Sequence, residues 1–330
     1  MNVVFLLASF AVLLAGAYFF TNAIEWAGHR LQLGEGAVGS LLAAVGTALP
    51  ESIIPVIALI GGGKANDVAV GAILGAPFML ATIAMALVGV STIVFRERRP
   101  RGTMLDLHAP TLARDLGFFL VLFAVALALG LGAPAWLRYA AAAAFVLAYA
   151  VYVRLTLRGG GAVQESGSLT PLYLDTSRGD PPANRAIVLQ LVIALGAIVG
   201  GSHLFVEELL QIADRFGVSA LVLALVLAPL ATELPEKANS VLWTREGKDT
   251  LALGNISGAM VFQSTLPVAL GLAFSGWALS GPSVVAAALG LAGGAIALVL
   301  LRFRGRFGLA AISAWAGLYA LFVAYVLVRG

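Results

Sequence analysis

Residues 46–51 read GTALPE and residues 231–236 read ATELPE, so one short motif occurs twice at an offset of 185 residues. A second shared pattern follows each copy. It reads AVGAILGA at 69–76 and ALGNISGA at 252–259, now at an offset of 183 because one intervening turn is shorter. Two motifs repeated in the same order at nearly one offset indicate that the two halves of the chain are copies of one unit.

The composition of the chain is that of a protein surrounded by lipid. Of its 330 residues, 60% are hydrophobic and only 11% are charged, whereas a soluble domain carries about 25% charged residues. Such a chain has too little polar surface to face water on all sides, so we expect the bilayer to be its main solvent and a partner. The absence of cysteine excludes disulfides, thiol nucleophiles and thiolate metal sites.

Ten apolar runs are of roughly membrane-spanning length. The first lacks the basic segment that precedes a cleaved signal, so we expect it to be retained as a helix. The longest polar connection, 158–184, predicts a linker between a first half at 1–157 and a second half at 185–330. The predicted spans are 3–23, 37–60, 67–95, 114–131, 134–157, 185–207, 217–243, 249–274, 282–301 and 308–328.

The basic residues fall unequally on the two sides that these spans define. Fifteen of the twenty Lys and Arg residues lie on one side, four lie on the other, and Lys237 lies within a span. By the positive-inside rule the rich side is cytoplasmic, so we expect a cytoplasmic linker and both termini outside. The basic stretch 96–101 is interpreted as a topology anchor. We expect an integral protein of a bacterial inner membrane.

Five spans per half is an odd number, so the second copy must enter the membrane from the side opposite to the first. The predicted fold is therefore an all-α polytopic membrane protein with ten transmembrane helices in two inverted-topology five-helix repeats. Repeats of this kind are typical of secondary transporters. Within the second shared pattern, Gly71-x₃-Gly75 and Gly254-x₃-Gly258 predict close contacts between helices.

Each motif places a glutamate, Glu51 or Glu236, in the middle of a predicted span directly after a proline. An ionisable group at that depth costs at least about 2.5–3.5 kcal/mol, so it needs a compensating partner. The proline has no N–H and clashes with the carbonyl four residues earlier, which breaks the helix and leaves backbone oxygens to be satisfied. These oxygens belong to Gly46 and Ala231, with those of Thr47 and Thr232 beside them.

Carboxylates combined with carbonyl oxygens are the ligands that Ca²⁺ prefers, which makes Glu51 and Glu236 the candidate metal ligands. Two buried carboxylates carry two negative charges, and one divalent cation, two protons or two Na⁺ ions would neutralise them. A site that must be neutralised by one set of ions or another is the physical basis of exchange. The alternative is that each glutamate is protonated and hydrogen-bonded within the helix bundle.

A third acid, Glu233, lies in the second motif, four residues before Lys237. Glu and Lys at this spacing are neighbours on a helix and pair well, so the first interpretation is an internal ion pair. The second is that Glu233 joins the cation site while Lys237 acts as a tethered counter-cation. Gln263, in the predicted span 249–274, is a further candidate because its amide oxygen could reach the site.

The repeated motif resembles that of the sodium/calcium exchanger family of the calcium/cation antiporter superfamily, whose signature is close to G-T-S-L-P-E followed by G-N-x-x-G-S-N. The resemblance covers nearly the whole chain. It implies ten helices, outward termini and inverted repeats. It also implies that Glu51 and Glu236 are the central Ca²⁺ carboxylates and that Thr47 and Thr232 contribute backbone oxygens.

The chain departs from the family pattern mainly in its first half, where apolar residues replace oxygen-bearing ones. In the second half Glu233 takes the place of a serine, Ala259 lacks another, and Gln263 stands where a polar or acidic ligand is expected. Several oxygens that would line Na⁺ sites are therefore absent, and proton coupling through the buried glutamates is a reasonable substitute. The replaced positions of the first half are Ala48, Ala72, Ala76 and Leu80.

The sequence thus favours a membrane antiporter that exchanges Ca²⁺, or a related divalent cation, for Na⁺ or H⁺ by alternating access. The alternatives are a proton-coupled exchanger of another cation and a non-transporting relative in which Lys237 locks the site. An intramembrane hydrolase is disfavoured, because holding a phosphate would need Arg or His in mid-membrane. We expect no enzyme activity, no cofactor and no nucleic-acid partner, with the transported cations as ligands.

Overall fold

The structure is a computed structural model that describes residues 2–30, 49–107, 109–158, 170–175, 182–279, 281–303 and 307–329. All the regular secondary structure within these ranges is helical. The helices are α1 (Asn2–Arg30), α2 (Leu49–Gly61), α3 (Ala65–Met79), a π-helical turn (Leu80–Ala84), α4 (Met85–Val94), α5 (Ala109–Gly130), α6 (Ala135–Arg158), α7 (Asn184–Phe216), α8 (Ala220–Thr232), α9 (Leu234–Arg245), α10 (Asp249–Gln263), α11 (Leu266–Phe274), α12 (Gly281–Phe303) and α13 (Leu309–Arg329).

Seven helical segments of the described ranges are long and apolar enough to cross a membrane, so the protein is an all-helical membrane protein. These segments are Ala65–Val94, Ala109–Gly130, Ala135–Thr156, Asn184–Phe216, Ala252–Phe274, Gly281–Leu301 and Leu309–Val328. Shorter apolar helices cover Val4–Phe20, Glu51–Gly61 and Ala220–Pro229. Each of the ten predicted runs therefore contains helix in its described part, although residues 37–48 of the second run lie outside the described residues.

The helices α1 and α7 extend past the ends predicted from hydropathy, which were residues 23 and 207. They contain 29 and 33 residues, which at about 1.5 Å per residue corresponds to roughly 44 and 50 Å. The hydrocarbon core is only about 30 Å thick, so helices of this length tilt or project from the membrane. Hydropathy marks where the lipid ends, whereas backbone hydrogen bonding continues the helix into polar sequence.

The two long helices pack on each other through glycines that the repeat relates. A Cβ atom added to Gly16 would lie 2.8 Å from Cγ1 of Ile198, and one added to Gly201 would lie 3.1 Å from Cγ of Leu13. Gly16 corresponds to Gly201, and Leu13 corresponds to Ile198, at the same offset of 185 residues. The contact is thus reciprocal, as in surfaces related by a two-fold axis.

The helices that carry the second shared pattern lie at the centre of the bundle. The apolar stretch of Ala65–Val94 is 83% buried inside the protein, and that of Ala252–Phe274 is 78% buried. The values for Ala135–Thr156 and Leu309–Val328 are only 11% and 17%. The latter two helices therefore form the outer, lipid-facing layer around the two central ones.

Small residues bring the central helix α3 against α8. A Cβ atom on Gly71 would lie 2.6 Å from the carbonyl oxygen of Leu221, and one on Gly75 would lie 2.9 Å from Cγ of Pro229. This confirms the close helix contact predicted for the first half. The corresponding pair of the second half, Gly254 and Gly258, meets no backbone at such a distance among the described residues.

Arg99 is buried, although the basic stretch 96–101 suggests only an anchor at the membrane surface. Its guanidinium donates to both carboxylate oxygens of Asp249, at 2.7 and 2.8 Å. This two-point ion pair fixes the loop after α4 to the start of α10, where two separate parts of the chain meet. The same guanidinium also donates to the backbone carbonyls of Gly102, Met104 and Thr244.

The described part of the linker, residues 170–175, is held against α1 and α7. The amide of Asn22 donates to the carbonyl of Thr170 at 3.2 Å. The backbone N–H of Leu174 donates to the side-chain oxygen of Gln190 at 2.8 Å. This stretch is therefore packed onto the two long helices by hydrogen bonds rather than being a free tether.

Gly16→Ala tests the crossing of α1 and α7. The added methyl group would overlap Ile198, and overpacking of this kind typically costs about 1–3 kcal/mol, so we expect a lower Tm in detergent. Gly200→Ala is the matched control, since a Cβ atom there meets nothing within 4 Å among the described residues. Equal Tm values for the two variants would contradict the predicted contact.

Arg99→Ala tests the buried ion pair. It leaves the carboxylate of Asp249 buried without its charged partner, which typically costs about 3–5 kcal/mol. The control is Arg101→Ala on the same loop, because Arg101 pairs with Asp106 at 3.0 Å while both side chains are 62% exposed, and such pairs contribute about 0–1 kcal/mol. Chemical denaturation should therefore separate the two variants, and similar losses would argue against the pair as described.

Candidate cation-binding site

The tripeptide Leu-Pro-Glu stands at the start of a described helix in each half. Glu51 is the third described residue of α2, and Glu236 is the third residue of α9. The helix α9 follows directly on Glu233, so its first turn has unpaired N–H groups and the positive end of the helix dipole. Glu51 is only 4% exposed. The side chain of Glu236 and the whole of Thr47 lie outside the described residues.

The second motif interrupts its span at Glu233, which confirms the helix break predicted there. The helix α8 ends at Thr232 and α9 begins at Leu234, with Glu233 between them at φ −88° and ψ 8°. Pro235 explains the break, because it lacks an N–H and cannot continue the hydrogen-bonding ladder of α8. The hydroxyl of Thr232 donates to the carbonyl of Ala228 at 3.0 Å, so this hydroxyl is engaged within its own helix.

Glu233 and Lys237 form a buried ion pair at this break. The ammonium of Lys237 lies 2.8 Å from Oε2 of Glu233, and the two residues are 6% and 0% exposed. The ammonium also donates to the carbonyl oxygen of Pro229 and contacts the sulfur of Met79, both at 3.3 Å. The pair predicted from the spacing of the two residues therefore forms. The contacts with Pro229 and Met79 are additions that the sequence did not suggest.

Gln263 is the last residue of α10 and is 1% exposed. Neither atom of its side-chain amide has a hydrogen-bond partner among the described residues. A buried amide in this situation costs free energy, and such a group is often retained because a ligand completes its bonds. The predicted role of this oxygen as a cation ligand stays a prediction.

The backbone is irregular at equivalent places in the two central spans. In the second half the helix stops at Gln263 and resumes as α11 at Leu266. In the first half the π-helical turn begins at Leu80, which corresponds to Gln263 at the offset of 183. Thr82 and Thr265 also correspond, and each hydroxyl donates to the carbonyl four residues earlier at 2.7 Å. Interruptions of this kind frequently occur at functional sites.

The central helix α3 joins the elements that carry the candidate residues. It packs against α2, which carries Glu51, and against α8, which ends just before Glu233. It also contacts α10, which ends at Gln263, and its own last residue, Met79, touches Lys237. The structure thus brings Glu233 and Lys237 into direct contact and arranges the helices of Glu51 and Gln263 around the same central helix.

The sequence analysis missed several buried acids, among them Asp115. Asp115, on α5, is 2% exposed and accepts a hydrogen bond from Ser257 at 3.0 Å, while Arg114 lies 3.1 Å away. Ser257 belongs to the second shared pattern, so Asp115 anchors that pattern to α5. The signal in the sequence for this buried acid was the adjacent pair Arg114 and Asp115 at the start of an apolar run. Among the described side chains, which do not include that of Glu236, no group of three His, Asp or Glu residues is placed to hold a metal ion.

The fold and these residues define a class of protein, an all-helical membrane protein with broken central helices and buried acids beside them. The profile of the family described as "Sodium/calcium exchanger protein" matches residues 1–158 and 186–328. The chain therefore belongs to the sodium/calcium exchanger family, as its motifs suggested. Family membership and fold support cation antiport across a membrane rather than an enzyme reaction.

Two relatives match most of the chain. It is 26% identical over 259 residues to the putative antiporter CaxA of Alkalimonas amylolytica, covering 78% of this chain and 76% of that protein. It is 27% identical over 247 residues to the inner membrane protein YrbG of Escherichia coli (strain K12), covering 71% and 67%. A shorter stretch of 74 residues is 35% identical to the sodium/calcium exchanger MaX1 of Methanosarcina acetivorans, covering 22% and 21%.

Solved structures share the fold at low sequence identity. The H⁺/Ca²⁺ exchanger CAX matches with a TM-score of 0.77 and 20% identity, covering 100% of this chain and 82% of that one. The sodium–calcium exchanger NCX_Mj, soaked with Na⁺ and Sr²⁺, matches with a TM-score of 0.61 and 18% identity, covering 98% and 97%. The chain thus has the exchanger fold over nearly its whole length.

Gln263→Leu tests whether the buried amide is held for a ligand. Leucine is the residue at the equivalent position of the first half, and it removes an unsatisfied buried group that costs about 1–3 kcal/mol. We therefore expect a higher Tm in detergent without divalent cations. Gln190→Leu is the matched control and should lower Tm, because its amide bonds to the carbonyl of Phe19 and to Asn22. A lower Tm for Gln263→Leu would show that its amide is satisfied in the folded protein.

Proposed function

We propose that the protein exchanges Ca²⁺, or a related divalent cation, for Na⁺ or H⁺ across a bacterial inner membrane by alternating access. The observation that carries this proposal is the burial of Glu51 in the first described turn of α2, within the motif of the exchanger family. A carboxylate in a lipid-embedded bundle needs a compensating charge. A transported cation supplies one that can be released and replaced.

The proposed architecture has ten transmembrane helices in two inverted five-helix repeats, 1–157 and 185–330, joined by a cytoplasmic linker at 158–184. Two observations support it. The contact of α1 with α7 is reciprocal about Gly16 and Gly201, and the interruptions at Leu80 and Gln263 match at the offset of the second shared pattern. The excess of basic residues on the linker side supports outward-facing termini.

The proposed divalent site takes its charge from Glu51 and Glu236 and its remaining ligands from backbone and amide oxygens. The broken helix at Glu233 frees the backbone near Thr232, and the motif places Thr47 at the equivalent position of the first half. The amide oxygen of Gln263 adds a neutral ligand. Ca²⁺ accepts six to eight oxygens in adaptable geometry, which suits a mixed set of this kind.

The charge of the site limits which ions can be exchanged. Two carboxylates are neutralised by one divalent cation, by two Na⁺ ions or by two protons, so each set can replace another without leaving a buried charge. Both counter-ions are named for similar proteins, since CAX is described as an H⁺/Ca²⁺ exchanger and MaX1 as a sodium/calcium exchanger. The inner-membrane description of YrbG supports the location.

The decisive experiment measures ⁴⁵Ca²⁺ uptake into proteoliposomes, driven separately by a Na⁺ gradient and by a pH gradient. We expect uptake under at least one gradient, and the effective gradient identifies the coupling ion. Glu51→Gln should reduce uptake about tenfold or more, because it removes a charge that compensates the cation. Glu207→Gln is the matched control, since Glu207 is 56% exposed on α7 and pairs with His203 at the surface.

One result of this assay would contradict the proposal that the protein transports Ca²⁺. Uptake under neither gradient, with wild type and Glu51→Gln indistinguishable, would remove it. Repeating the assay with other divalent and monovalent cations would then test the alternative of a proton-coupled exchanger for another ion. Absence of flux for every cation would point to a non-transporting relative.

A further inference from the structure

We propose that the ammonium group of Lys237 is a tethered cation that occupies a monovalent-cation position beside Glu233 and so keeps an additional mobile cation out of the site. The inference rests on the proposed function, because both residues belong to the motif segment that supplies Glu236. In this role Lys237 limits the number of mobile cations that the site can bind.

The groups around the ammonium are those that a small dehydrated cation would meet. The nitrogen lies 2.8 Å from a carboxylate oxygen of Glu233, 3.3 Å from the carbonyl oxygen of Pro229 and 3.3 Å from the sulfur of Met79. An ammonium has three N–H donors, so each donor has one acceptor. Carboxylate and backbone carbonyl oxygens are also the ligands that proteins offer to hard cations.

The neighbours of the ammonium come from both halves of the chain. Pro229 and Glu233 stand at the broken helix of the second half, whereas Met79 ends α3 immediately before the π-helical turn of the first half. Lys237 therefore lies where irregular backbone from the two halves meets. A lysine that only neutralised Glu233 at the protein surface would need neither of the other two contacts.

The second half has both the acid and the base at positions where the first half has neither. At the positions of Glu233 and Lys237, the first half has Ala48 and Ser52. The second half thus contains one additional negative and one additional positive charge. These two charges cancel, so the remaining net charge of this region is that of Glu51 and Glu236. A carboxylate added alone would have demanded a further cation from solution.

The pair changes the number of ions that the site can accept. While Lys237 neutralises Glu233, only two negative charges remain for mobile ions, which matches one divalent cation. The fixed positive charge also repels any further cation at close range, and the repulsion is strong where the surroundings are apolar. We therefore expect the native protein to lack a separate Na⁺ position beside Glu233.

Thermal unfolding in detergent tests this directly. Wild type, K237R, K237Q and the double variant E233Q/K237Q are titrated with NaCl against choline chloride at constant ionic strength. K237Q should gain a saturable Na⁺-dependent rise in Tm of about 2–4 °C beyond that of wild type, because Glu233 then recruits Na⁺. K237R and the double variant should show no such gain. If K237Q responds like wild type, or if the double variant keeps the gain, the proposal is overturned.

If K237Q does not fold, a second measurement tests the tethered-cation role of Lys237. E233Q leaves Lys237 charged without its carboxylate, so Ca²⁺ should be repelled and its half-saturating concentration for thermal stabilisation should rise about tenfold, which corresponds to 1.4 kcal/mol. The double variant E233Q/K237Q removes that charge and should restore the wild-type concentration. Failure to restore it would make Glu233 a direct Ca²⁺ ligand, which overturns the tethered-cation role.

The two proposals fail separately. Wild-type protein that shows neither ⁴⁵Ca²⁺ uptake nor stabilisation by Ca²⁺ would remove the proposed exchange. The Na⁺ titration of K237Q would still decide whether Lys237 stands in for a cation, because that measurement requires no transport.

Discussion

Charges inside this bundle must be compensated where they lie, because neither the surrounding lipid nor the apolar interior can solvate them. The chain meets this constraint in two ways. Glu233 with Lys237, and Asp249 with Arg99, are neutralised by permanent partners within the protein. Glu51 is also buried, in the first described turn of α2, and in the proposed function its charge is compensated by a transported cation. A charge with a permanent partner cannot be exchanged for another ion, so the proposed exchange depends on a buried carboxylate whose compensating ion is mobile.

Interrupted helices are the second requirement for a cation site in lipid. A continuous helix uses all its carbonyl groups internally and can offer none to an ion. This chain interrupts its backbone at Glu233, between Gln263 and Leu266, and at the π-helical turn that begins at Leu80. The interruptions at Leu80 and after Gln263 belong to the central helices, and they lie next to α13 and α6, which face the lipid. The irregular backbone therefore remains within protein rather than meeting hydrocarbon.

The two halves share a backbone plan but differ in chemistry. The reciprocal contact at Gly16 and Gly201 and the matched hydroxyl bonds of Thr82 and Thr265 show how closely the local geometry repeats. The side chains diverge, since Leu80 is apolar where Gln263 carries an amide. The small residues Gly16 and Gly201 and the hydroxyls of Thr82 and Thr265 thus occur in both halves. Glu233, Lys237 and Gln263 are instead more polar than their counterparts in the first half, which are Ala48, Ser52 and Leu80. The charged pair of Glu233 and Lys237 is part of this asymmetry, since its counterparts in the first half are Ala48 and Ser52.

Much of this could be predicted from the sequence because it depends on local or compositional rules. The hydrophobic content predicted a lipid environment, Pro235 predicted the break at Glu233, and the spacing of four residues predicted the pair of Glu233 with Lys237. Each of these follows from solvation, ring geometry or helix periodicity, which act over a few residues. The repeated motifs pointed to the family for the same reason, since they are short and can be read directly.

Other features depend on partners far away in the chain. Hydropathy placed the ends of α1 and α7 too early, because it reports the lipid boundary and not the hydrogen-bonded helix. The burial of Arg99 required Asp249, that of Asp115 required Ser257, and the third neighbour of Lys237 is Met79. Each partner lies more than a hundred residues away, and no local rule connects the two. The sequence by itself determined the solvent, the repeated motifs and the helix break at Glu233, because these follow from composition and local rules. Only the tertiary structure decided which distant groups compensate Asp249 and Asp115, because their partners lie far away in the chain.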